Sequence, residues 1–463
     1  MNFSKSELLV KCEALGITKC LSKNKSQLVE LIAIKEQQML TNSAEVISTV
    51  VPLLVVLQQP ISTVVLEVIP RFKFIDLFCG IGGFHQASIR LHGECVFACD
   101  IDEKCRKVYE KNYGLRPESD ITKIDISKIP DFDILCGGFP CQAFSNSGKK
   151  KGFEDARGNL FENIISIAIA KRPSFMFLEN VKHIKKIDNG NVYKHIISRI
   201  NASGYVVNEK TIFELSPHQL GVPQQRERVI FVCIRSDIFD PAKKIIISPP
   251  ETPIRFDNIL ETDPNVLQKY RIPSELENVL NAWNEMITTF EVNENLSPTI
   301  LCNEFNTTYT AEEFLKLPDW KQEYITKNKP IYHKYKTPWD TWYARHAQIL
   351  CKKEVYGKLE WQVGKKKEQE SIFNHFIQLR QSGIRVKKAI YFPTLVAIVQ
   401  TPIYAKEKRY ITPRECARLQ SFPDNFVLHD NDHTAYKQFG NAVNVDVVHY
   451  VMMNALNVYG MFV

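Results

Sequence analysis

The chain has 463 residues, enough for two or three domains with sizeable cores. Apolar residues make up 44% and charged residues 24%, as in an ordinary soluble globular protein, and the net charge of +7 permits a polyanionic partner without requiring one. Twelve cysteines without a C-x-x-C pair, and no charged-then-apolar leader after Met1, argue against a disulfide framework, a metal site and secretion. We therefore expect an intracellular protein, cytoplasmic or, in a eukaryotic host, nuclear.

Residues 1–40 predict two short amphipathic helices joined by an extended loop. The pattern L-L-V-K-C-E-A-L-G-I, followed by S-K-N-K-S-Q-L-V-E-L-I, resembles the SAP-type helix-loop-helix modules that bind DNA. This resemblance implies that Lys19, Lys23 and Lys25 face phosphates. A plain helical hairpin with a solvated lysine face explains the same pattern equally well.

Residues 41–71 predict a linker. Within them, Val46 to Leu66 is uncharged and rich in valine, leucine and isoleucine, which raises the question of a membrane span. Pro52 and Pro60 interrupt the segment, its valines favour extended structure, and no lysine cluster flanks it. We expect no membrane helix here, and a strand packed on the neighbouring domain is an alternative.

From residue 72 to residue 235, buried strands alternate with helices, which predicts an α/β domain with a doubly wound, mostly parallel sheet. Ligands of such a sheet lie at the carboxyl ends of its strands. The predicted strands are 74–78, 95–99, 133–136, 175–178 and 229–234, and the predicted helices are 84–91, 104–113, 160–170 and 193–202.

After Arg235 the alternation stops, and residues 236–405 predict a second, smaller domain. Residues 351–388 hold ten Lys or Arg against four Glu, a net charge of +6, which most often marks a solvated surface. The nearby aromatic residues, Trp339, Trp342, Tyr343 and Trp361, are more typical of a core. Residues 406–463 are predicted to belong to the first domain again. The cap-then-proline pair Thr412-Pro413 predicts the start of a helix there.

One stretch predicts a reactive thiol. In D-I-L-C-G-G-F-P-C-Q-A-F-S-N-S, residues 133–147, an apolar strand ends at two glycines, and Pro140 then delivers Cys141 into a small polar loop. A free cysteine is usually a small buried hydrophobe, but a turn tip is a surface site. We expect Cys141 to be exposed, and the other eleven cysteines to be packed.

The segment G-G-F-P-C-Q-A-F-S resembles the nucleophile motif of the DNA cytosine-5 methyltransferases, and its wording is closest to the bacterial restriction-modification members. Similar blocks recur in order from Phe74 to Tyr450. The resemblance implies a Rossmann-like, S-adenosylmethionine-dependent methyltransferase fold with a smaller target-recognition domain. It departs from the family pattern in the seventy residues that precede the glycine motif.

The reaction needs a thiolate that adds to carbon 6 of cytosine, which makes carbon 5 nucleophilic. A partly buried carboxyl group at Glu179, in F-L-E-N-V, could share a proton with nitrogen 3. In Q-Q-R-E-R, alternation predicts Arg226 and Arg228 on one strand face, where one guanidinium could reach oxygen 2. The resemblance implies that Cys141 is the nucleophile, Glu179 the acid and Arg228 the oxygen-2 contact, supported by Arg226.

The glycine turn D-L-F-C-G-I-G-G-F lacks G-K-[ST], which disfavours a phosphate-cradling loop. Asp100, after the second strand, could accept the ribose hydroxyls of a nucleoside cofactor. Asp120 could equally be a helix cap, and Leu160 a core residue. The resemblance implies an S-adenosylmethionine site at Phe78, Gly80, Gly82, Asp100, Ile101, Asp120, Ile121, Pro140, Leu160, Asn441 and Val443.

Because carbon 6 is hidden inside a duplex, the target base must flip out of the stack. Residues 142–159 have the glycines and lysines of a lid that closes over DNA, and Gln142, Ser145 and Ser147 are the predicted DNA contacts. The expected partners are double-stranded DNA and a cognate restriction endonuclease, and the expected state is a monomer. A transfer-RNA cytosine-5 methyltransferase and a catalytically silent DNA-binding protein remain as alternatives.

Overall fold

The structure is a computed structural model, and it describes residues 24–29, 32, 71–140, 159–304 and 307–461. The chain divides into two compact units, Met1–Val68 and Ile69–Val463. In the first unit, residues 25–29 are helical, Asn24 accepts a hydrogen bond from the Gln27 amide at 3.0 Å, and Leu28 and Ile32 are buried. This agrees with the second predicted helix there, whereas the first predicted helix and the stretch Val46 to Leu66 lie outside the described residues.

The second unit contains two sheets and the helices that pack on them. The first sheet and its helices occupy the two ends of the unit in sequence. Its strands and helices are β1 (Phe72–Leu77), α1 (Gly83–Ile89), β2 (Gly93–Cys99), α2 (Glu103–Tyr113), β3 (Ile134–Gly138), α3 (Asn159–Lys171), β4 (Phe175–Val181), α4 (Asn191–Ala202), β5 (Tyr205–Val206), β6 (Ile212–Leu215) and β7 (Arg228–Arg235).

The second sheet lies in the middle of the sequence. Its segment comprises α5 (Pro264–Gln268), α6 (Ser274–Thr289), β8 (Thr299–Leu301), α7 (Ala311–Leu315), α8 (Asp319–Lys334), α9 (Lys336–Leu350), β9 (Lys358–Gln362), β10 (Phe376–Arg380), β11 (Gly383–Lys387), β12 (Ile403–Tyr404) and β13 (Arg409–Tyr410). Three helices then complete the unit: α10 (Pro413–Leu419), α11 (Asp432–Asn441) and α12 (Val445–Val458).

The first sheet has the order β2-β1-β3-β4-β7-β5, with β6 also paired to β7. Both faces are covered, because apolar side chains alternate along its central strands and pack on α1 and α12 on one face and on α3 and α4 on the other. The result is the three-layer α/β arrangement that the sequence predicts, with the carboxyl ends of β1 to β4 along one edge.

The prediction of a mostly parallel sheet is confirmed with one exception, because strands β1 to β6 run in one direction and β7 runs in the other. Strands β2, β1, β3 and β4 pair in parallel, but β7 is antiparallel to β4, β5 and β6. A parallel pair requires a long crossover, usually a helix. Only one short helical turn, Pro217–Leu220, separates β6 from β7, so the chain reverses direction. The reversal places the start of β7 beside the end of β4.

The second sheet has the order β13-β12-β10-β11-β9-β8. Its core includes the buried Trp339, Trp342 and Trp361, with Tyr343 partly buried against them, which confirms the interpretation of these aromatic residues as core. Helix α10 begins after Thr412 in a capping box with Glu415, as the cap-then-proline pair predicts.

Nine cysteines fall within the described residues, and all are free thiols. Seven are buried and Cys95 is half-buried, but Cys351 is exposed, so the expectation that it is packed is wrong. Among the described helices, none is long and apolar enough to cross a bilayer.

Candidate active site

The predicted nucleophile follows strand β3, and the described chain reaches the residue before it. Strand β3 ends at Gly138, and Pro140 is the last described residue at this point. Cys141 and the predicted DNA contacts Gln142, Ser145 and Ser147 lie outside the described residues. The structure therefore fixes the strand that leads to Cys141 rather than the thiol itself.

The segment just before Cys141 is held by Asn180. The Asn180 side chain is 2% exposed, and its Nδ2 donates to the carbonyl of Phe139 at 3.0 Å. Its Oδ1 accepts from the amide of Val181 at 2.9 Å, which fixes the orientation of the carboxamide. Asn180 was not among the predicted site residues, although its place directly after Glu179 was a signal. This residue ties the end of β4 to the approach of the nucleophile.

Glu179 and Arg228 meet at the same edge of the sheet. Glu179 Oε1 lies 2.7 Å from Arg228 Nε, and the two side chains are only 11% and 13% exposed. They meet because β7 runs antiparallel to β4, so that Arg228 pairs with Val181. The other carboxylate oxygen faces β3, since a Cβ on Gly138 would lie 3.4 Å from Glu179 Oε2. The acid thus lies between the arginine and the strand that leads to Cys141.

Arg226 has different contacts from Arg228, because it precedes β7 instead of sharing a strand face with it. Its buried guanidinium donates to the carbonyl of Leu395 at 2.7 Å and to those of Gly440 and Ala442 at 3.0 and 2.9 Å. The strand alternation behind the prediction therefore does not extend to Arg226, although its guanidinium is close enough to Arg228 and Glu179 to interact with both charges. Arg226 holds two distant parts of the chain against the edge of the first sheet.

The glycine turn after β1 is held against the end of β2 by Asp100. The amide of Gly80 donates to Asp100 Oδ2 and the amide of Asp102 donates to Oδ1, each at 2.8 Å. Phe78, at the end of β1, has a φ of 54°, a left-handed conformation that non-glycine residues rarely adopt. Burial raises the pKa of Asp100, while the two amide donors act in the opposite direction.

An apolar surface adjoins this carboxylate. Ile101 follows Asp100 and is 73% exposed, an unusual environment for a large apolar side chain at the end of a strand.

Asp76, on β1, is a second buried carboxyl group near Asp100, and it was not singled out from the sequence. It is 1% exposed, its Oδ2 has no hydrogen-bond partner among the described residues, and burial and the nearby Asp100 raise its pKa.

Asp120, Ile121 and Leu160 make contacts that fit a structural role. Asp120 Oδ1 accepts from the Thr122 amide and hydroxyl at 3.0 and 2.7 Å, which caps a short helical turn and lowers the pKa of Asp120. Ile121 is buried in the core, and Leu160 packs partly buried against the same cluster. Asp120 is thus a helix cap, as in the alternative interpretation. It nevertheless lies close to the carboxyl end of β2, because a bridge between Cys99 and Glu118 joins the end of that strand to the segment before Asp120.

The segment between α11 and α12 closes over the glycine turn. A Cβ on Gly83 would lie 2.5 Å from the carbonyl oxygen of Val443, so only glycine permits this approach. A Cβ on Gly138 would lie 3.5 Å from Val443 Cγ2. Asn441, two residues before, is exposed at the end of α11. The structure therefore brings Val443 to the turn that carries Gly80 and Gly82 and to the strand that leads to Cys141.

Known proteins are similar to this chain over most of its length. Residues 72–457 match the family model described as C-5 cytosine-specific DNA methylase. The chain is 32% identical over 387 residues to the Type II methyltransferase M.HhaI of Haemophilus parahaemolyticus, a match that covers 82% of this chain and 93% of that protein. It is 32% identical over 382 residues to the Type II methyltransferase M.HpaII of Haemophilus parainfluenzae, covering 82% and 87%.

Among solved structures, the methyltransferase EhMeth of Entamoeba histolytica is similar, with 21% identity, coverage of 83% of this chain and 98% of that one, and a TM-score of 0.48. The family match spans both sheets and every described residue of the candidate site. The chain belongs to the C-5 cytosine-specific DNA methylase family and is a DNA cytosine-5 methyltransferase.

Proposed function

We propose that Cys141, Glu179 and Arg228 carry out the chemical step on a flipped cytosine, with S-adenosylmethionine as the methyl donor. The observation that supports this most directly is the pair of Glu179 and Arg228, 2.7 Å apart beside the strand that leads to Cys141. An acid, an arginine and a thiol are the three groups that the covalent mechanism requires.

In this mechanism the Cys141 thiolate attacks carbon 6 of the base, and the ring electrons move toward carbon 5. Glu179 donates a proton to nitrogen 3, and Arg228 donates a hydrogen bond to oxygen 2, so that the negative charge of the addition is neutralised. Carbon 5 would then take the methyl group, and the electron pair of the broken carbon–sulfur bond would stay on the donor sulfur as a neutral thioether. Transfer of the carbon-5 proton to water, expulsion of the Cys141 thiolate and return of the nitrogen-3 proton to Glu179 would restore the aromatic ring.

The pair of Glu179 and Arg228 suits this role before the base arrives. Arg228 uses Nε for Glu179 and one terminal amino group for the carbonyl of Glu227 at 2.9 Å. The remaining terminal amino group has no hydrogen bond to a described residue. An arginine has five N–H donors in a fixed planar arrangement, so Arg228 can bind oxygen 2 without releasing Glu179.

S-adenosylmethionine supplies an electrophilic methyl group on a sulfonium. The proposed site has the groups that such a cationic nucleoside needs: the Asp100 carboxylate for the ribose, the exposed Ile101 for the adenine, and a glycine turn narrow enough for Val443 to approach. We place the cofactor against Phe78, Gly80, Gly82, Pro140 and Asn441. Asp120, Ile121 and Leu160 would shape the site from behind, since their side chains are capped or packed.

Arg226 supports this site as a positioning residue. Its hydrogen bonds to Gly440 and Ala442 surround Asn441 and hold the segment that carries Val443. Its third bond, to Leu395, fixes the second domain to the same edge. By holding the main chain at these three carbonyls, Arg226 positions both the cofactor site and the region where DNA would bind.

We assign residues 72–235 and 406–463 to the catalytic domain and residues 236–405 to target recognition. DNA would bind across the edge where the two sheets meet, with Gln142, Ser145 and Ser147 contacting it. We expect a monomer that acts inside the cell, beside a cognate restriction endonuclease for the same site. Both curated relatives above are Type II methyltransferases, which supports that partner.

For residues 1–40 we retain the SAP-like DNA-binding role as a proposal. The buried Leu28 and Ile32 are four residues apart, as in an amphipathic helix, which a plain hairpin would share. DNA affinity of the chain without residues 1–45 separates the two. A DNA-binding leader predicts weaker binding and a shallower salt dependence after deletion, whereas a plain hairpin predicts no change in either.

The covalent step is tested with duplex DNA that carries 5-fluorocytosine at the methylated position, after bisulfite sequencing of DNA from expressing cells has identified that position. With S-adenosylmethionine present, the enzyme should become cross-linked to this duplex, because fluorine at carbon 5 cannot leave as a proton. Cys141→Ser should form no cross-link and show no turnover, yet bind the cofactor as the wild type does. A cross-link to transfer RNA instead of the duplex, or none at all, would refute the proposal.

A further inference from the structure

The second sheet has two different faces. One face packs its apolar side chains, among them Leu359, Trp361 and Val386, on helices α6, α8 and α9. Because neighbouring residues of a strand point to opposite faces, the other face carries mostly polar side chains, with Phe376 as an apolar exception that packs in the core of the first sheet. We call it the polar face, and it comprises Lys358, Glu360 and Gln362 of β9, Gln378 and Arg380 of β10, and Arg385 and Lys387 of β11.

The polar face ends at the catalytic edge of the first sheet. Lys387 Nζ donates to Gln225 Oε1 at 2.9 Å, and the Thr394 hydroxyl donates to the Gln225 carbonyl at 2.6 Å. Gln225 is three residues before Arg228. Arg385 lies two residues before Lys387 on the same face, about 7 Å along the strand. The polar face therefore adjoins the end of the first sheet at which Arg228 lies.

Glu360 holds Arg385 in one orientation. This glutamate is 7% exposed, and its carboxylate accepts from Arg385 Nε at 2.6 Å and from the Ser382 hydroxyl at 2.6 Å. Arg380 donates to the same carboxylate at 3.4 Å. A bond through Nε fixes the plane of the Arg385 guanidinium and leaves its two terminal amino groups without a hydrogen bond to any described residue.

The space in front of Arg385 is open. Arg385 and Glu360 line a cavity of about 400 Å³, together with Gln362, Trp320 and Tyr324. The Arg385 side chain is 27% exposed, so its terminal amino groups are partly accessible. An arginine that only held the sheet together would direct these donors at protein acceptors, as Arg226 does.

We propose that Arg385 is a specificity-determining residue that reads the major-groove edge of a guanine in the recognised sequence, and that Glu360 is its positioning residue. Two parallel N–H donors match the O6 and N7 acceptors of guanine, which is the commonest specific contact between arginine and a base. The recognised sequence then contains a G·C pair close to the methylated cytosine. This inference rests on the proposed function, because it needs a duplex bound at the catalytic edge.

The test begins with the wild-type enzyme, whose recognised sequence is read by bisulfite sequencing. Each guanine of that duplex, on either strand, is then replaced in turn by 7-deazaguanine, which lacks the N7 acceptor. At one guanine, kcat/KM should fall about tenfold or more. Arg385→Ala should lose this sensitivity and accept other bases at that position, with discrimination reduced about ten- to a hundredfold. Glu360→Gln should show a smaller relaxation at the same position.

Arg345→Ala is the matched control, because Arg345 is an arginine of the same domain that pairs with Glu285 on helices α9 and α6. It should keep the wild-type specificity. If Arg385→Ala fails to fold, Arg385→Lys, which keeps the charge but has one amino group, should show the same loss. An unchanged recognised sequence, or an equal fall in rate on every sequence, would overturn the inference. An inactive wild-type enzyme would instead be a failure of the proposed function.

Discussion

Arg226 and Asp100, at the edge of the first sheet, and Glu360, on the polar face of the second sheet, are held in different ways. At the edge of the first sheet, Arg226 donates to three backbone carbonyls and Asp100 accepts from two backbone amides. On the polar face of the second sheet, Glu360 accepts from the side chains of Arg385 and Ser382. Backbone contacts fix the course of the main chain, whereas contacts between side chains can be exchanged without moving it. The first arrangement suits the chemical step that we propose for this edge, and the second suits the DNA recognition that we propose for the polar face.

The largest expected effect is a difference in the free energy of unfolding between variants of Arg226 and Arg385. Arg226→Ala removes three buried hydrogen bonds from a charged group and should lower the free energy of unfolding by about 3–5 kcal/mol. Arg385→Ala should cost about 1 kcal/mol or less, since Glu360 keeps Arg380 and Ser382 as partners. Urea unfolding of both variants measures the difference as a shift in midpoint. Equal losses would contradict the distinction between backbone and side-chain anchoring.

A second variant separates rate from specificity. Asn180→Ala removes the bond to the Phe139 carbonyl, so the segment before Cys141 is less well placed, and kcat should fall about tenfold to a hundredfold. The recognised sequence should stay as in the wild type. A changed recognised sequence in this variant would show that the edge of the first sheet and the polar face are not independent, and a normal kcat would show that Asn180 does not position the segment before Cys141.

The smallest effect concerns pH and a buried histidine behind the glycine turn. His85 is 6% exposed, its Nδ1 lies 2.6 Å from the Tyr109 hydroxyl, and burial lowers the pKa of His85 to about 3. Below pH 6.5, His85 binds a proton in the unfolded chain but stays neutral in the folded chain. The free energy of unfolding therefore falls as the pH falls. We expect a loss of about 1 kcal/mol between pH 6.5 and 5.5.

His375, next to the second sheet, is the internal comparison. Its Nε2 lies 2.8 Å from Glu370 Oε1, which favours the protonated ring, although burial lowers the pKa of His375 overall. His85→Gln should therefore flatten the pH dependence of stability more than His375→Gln does. The measurement is urea unfolding of both variants at several pH values, and the reverse order would show that the wrong histidine had been assigned to the effect.

Sequence patterns predicted the position of those candidate residues that lie at or just after the end of a strand. Glu179 lies two residues before the end of β4, Asp100 follows β2, and the glycine turn follows β1, so a buried apolar run is enough to place each at the sheet edge. The direction of β7 was not predictable in this way, because the short strands β5 and β6 carry too weak a periodicity to reveal a reversal. The exposure of Cys351 likewise depends on its place after α9.

Contacts between distant parts of the chain were the main features that the sequence did not predict. The acceptors of Arg226 lie 169 to 216 residues away in sequence, and no local pattern reports them. The strands of the second sheet were also not predicted, because its polar and apolar residues are interrupted by loops and by three helices. The pairing of Glu360 with Arg385 needs the register of β9 against β11, which only the folded chain defines.

The three acceptors of Arg226 also bear on when the enzyme becomes active during its own synthesis. Strands β1 to β7 leave the ribosome well before Gly440, which lies 214 residues after Arg226. Since domains fold as they emerge, the first sheet can form early, but its edge lacks the segment that carries Val443 until α11 and α12 have been translated. A prematurely terminated chain would therefore contain the predicted nucleophile and the acid and still leave DNA unmodified.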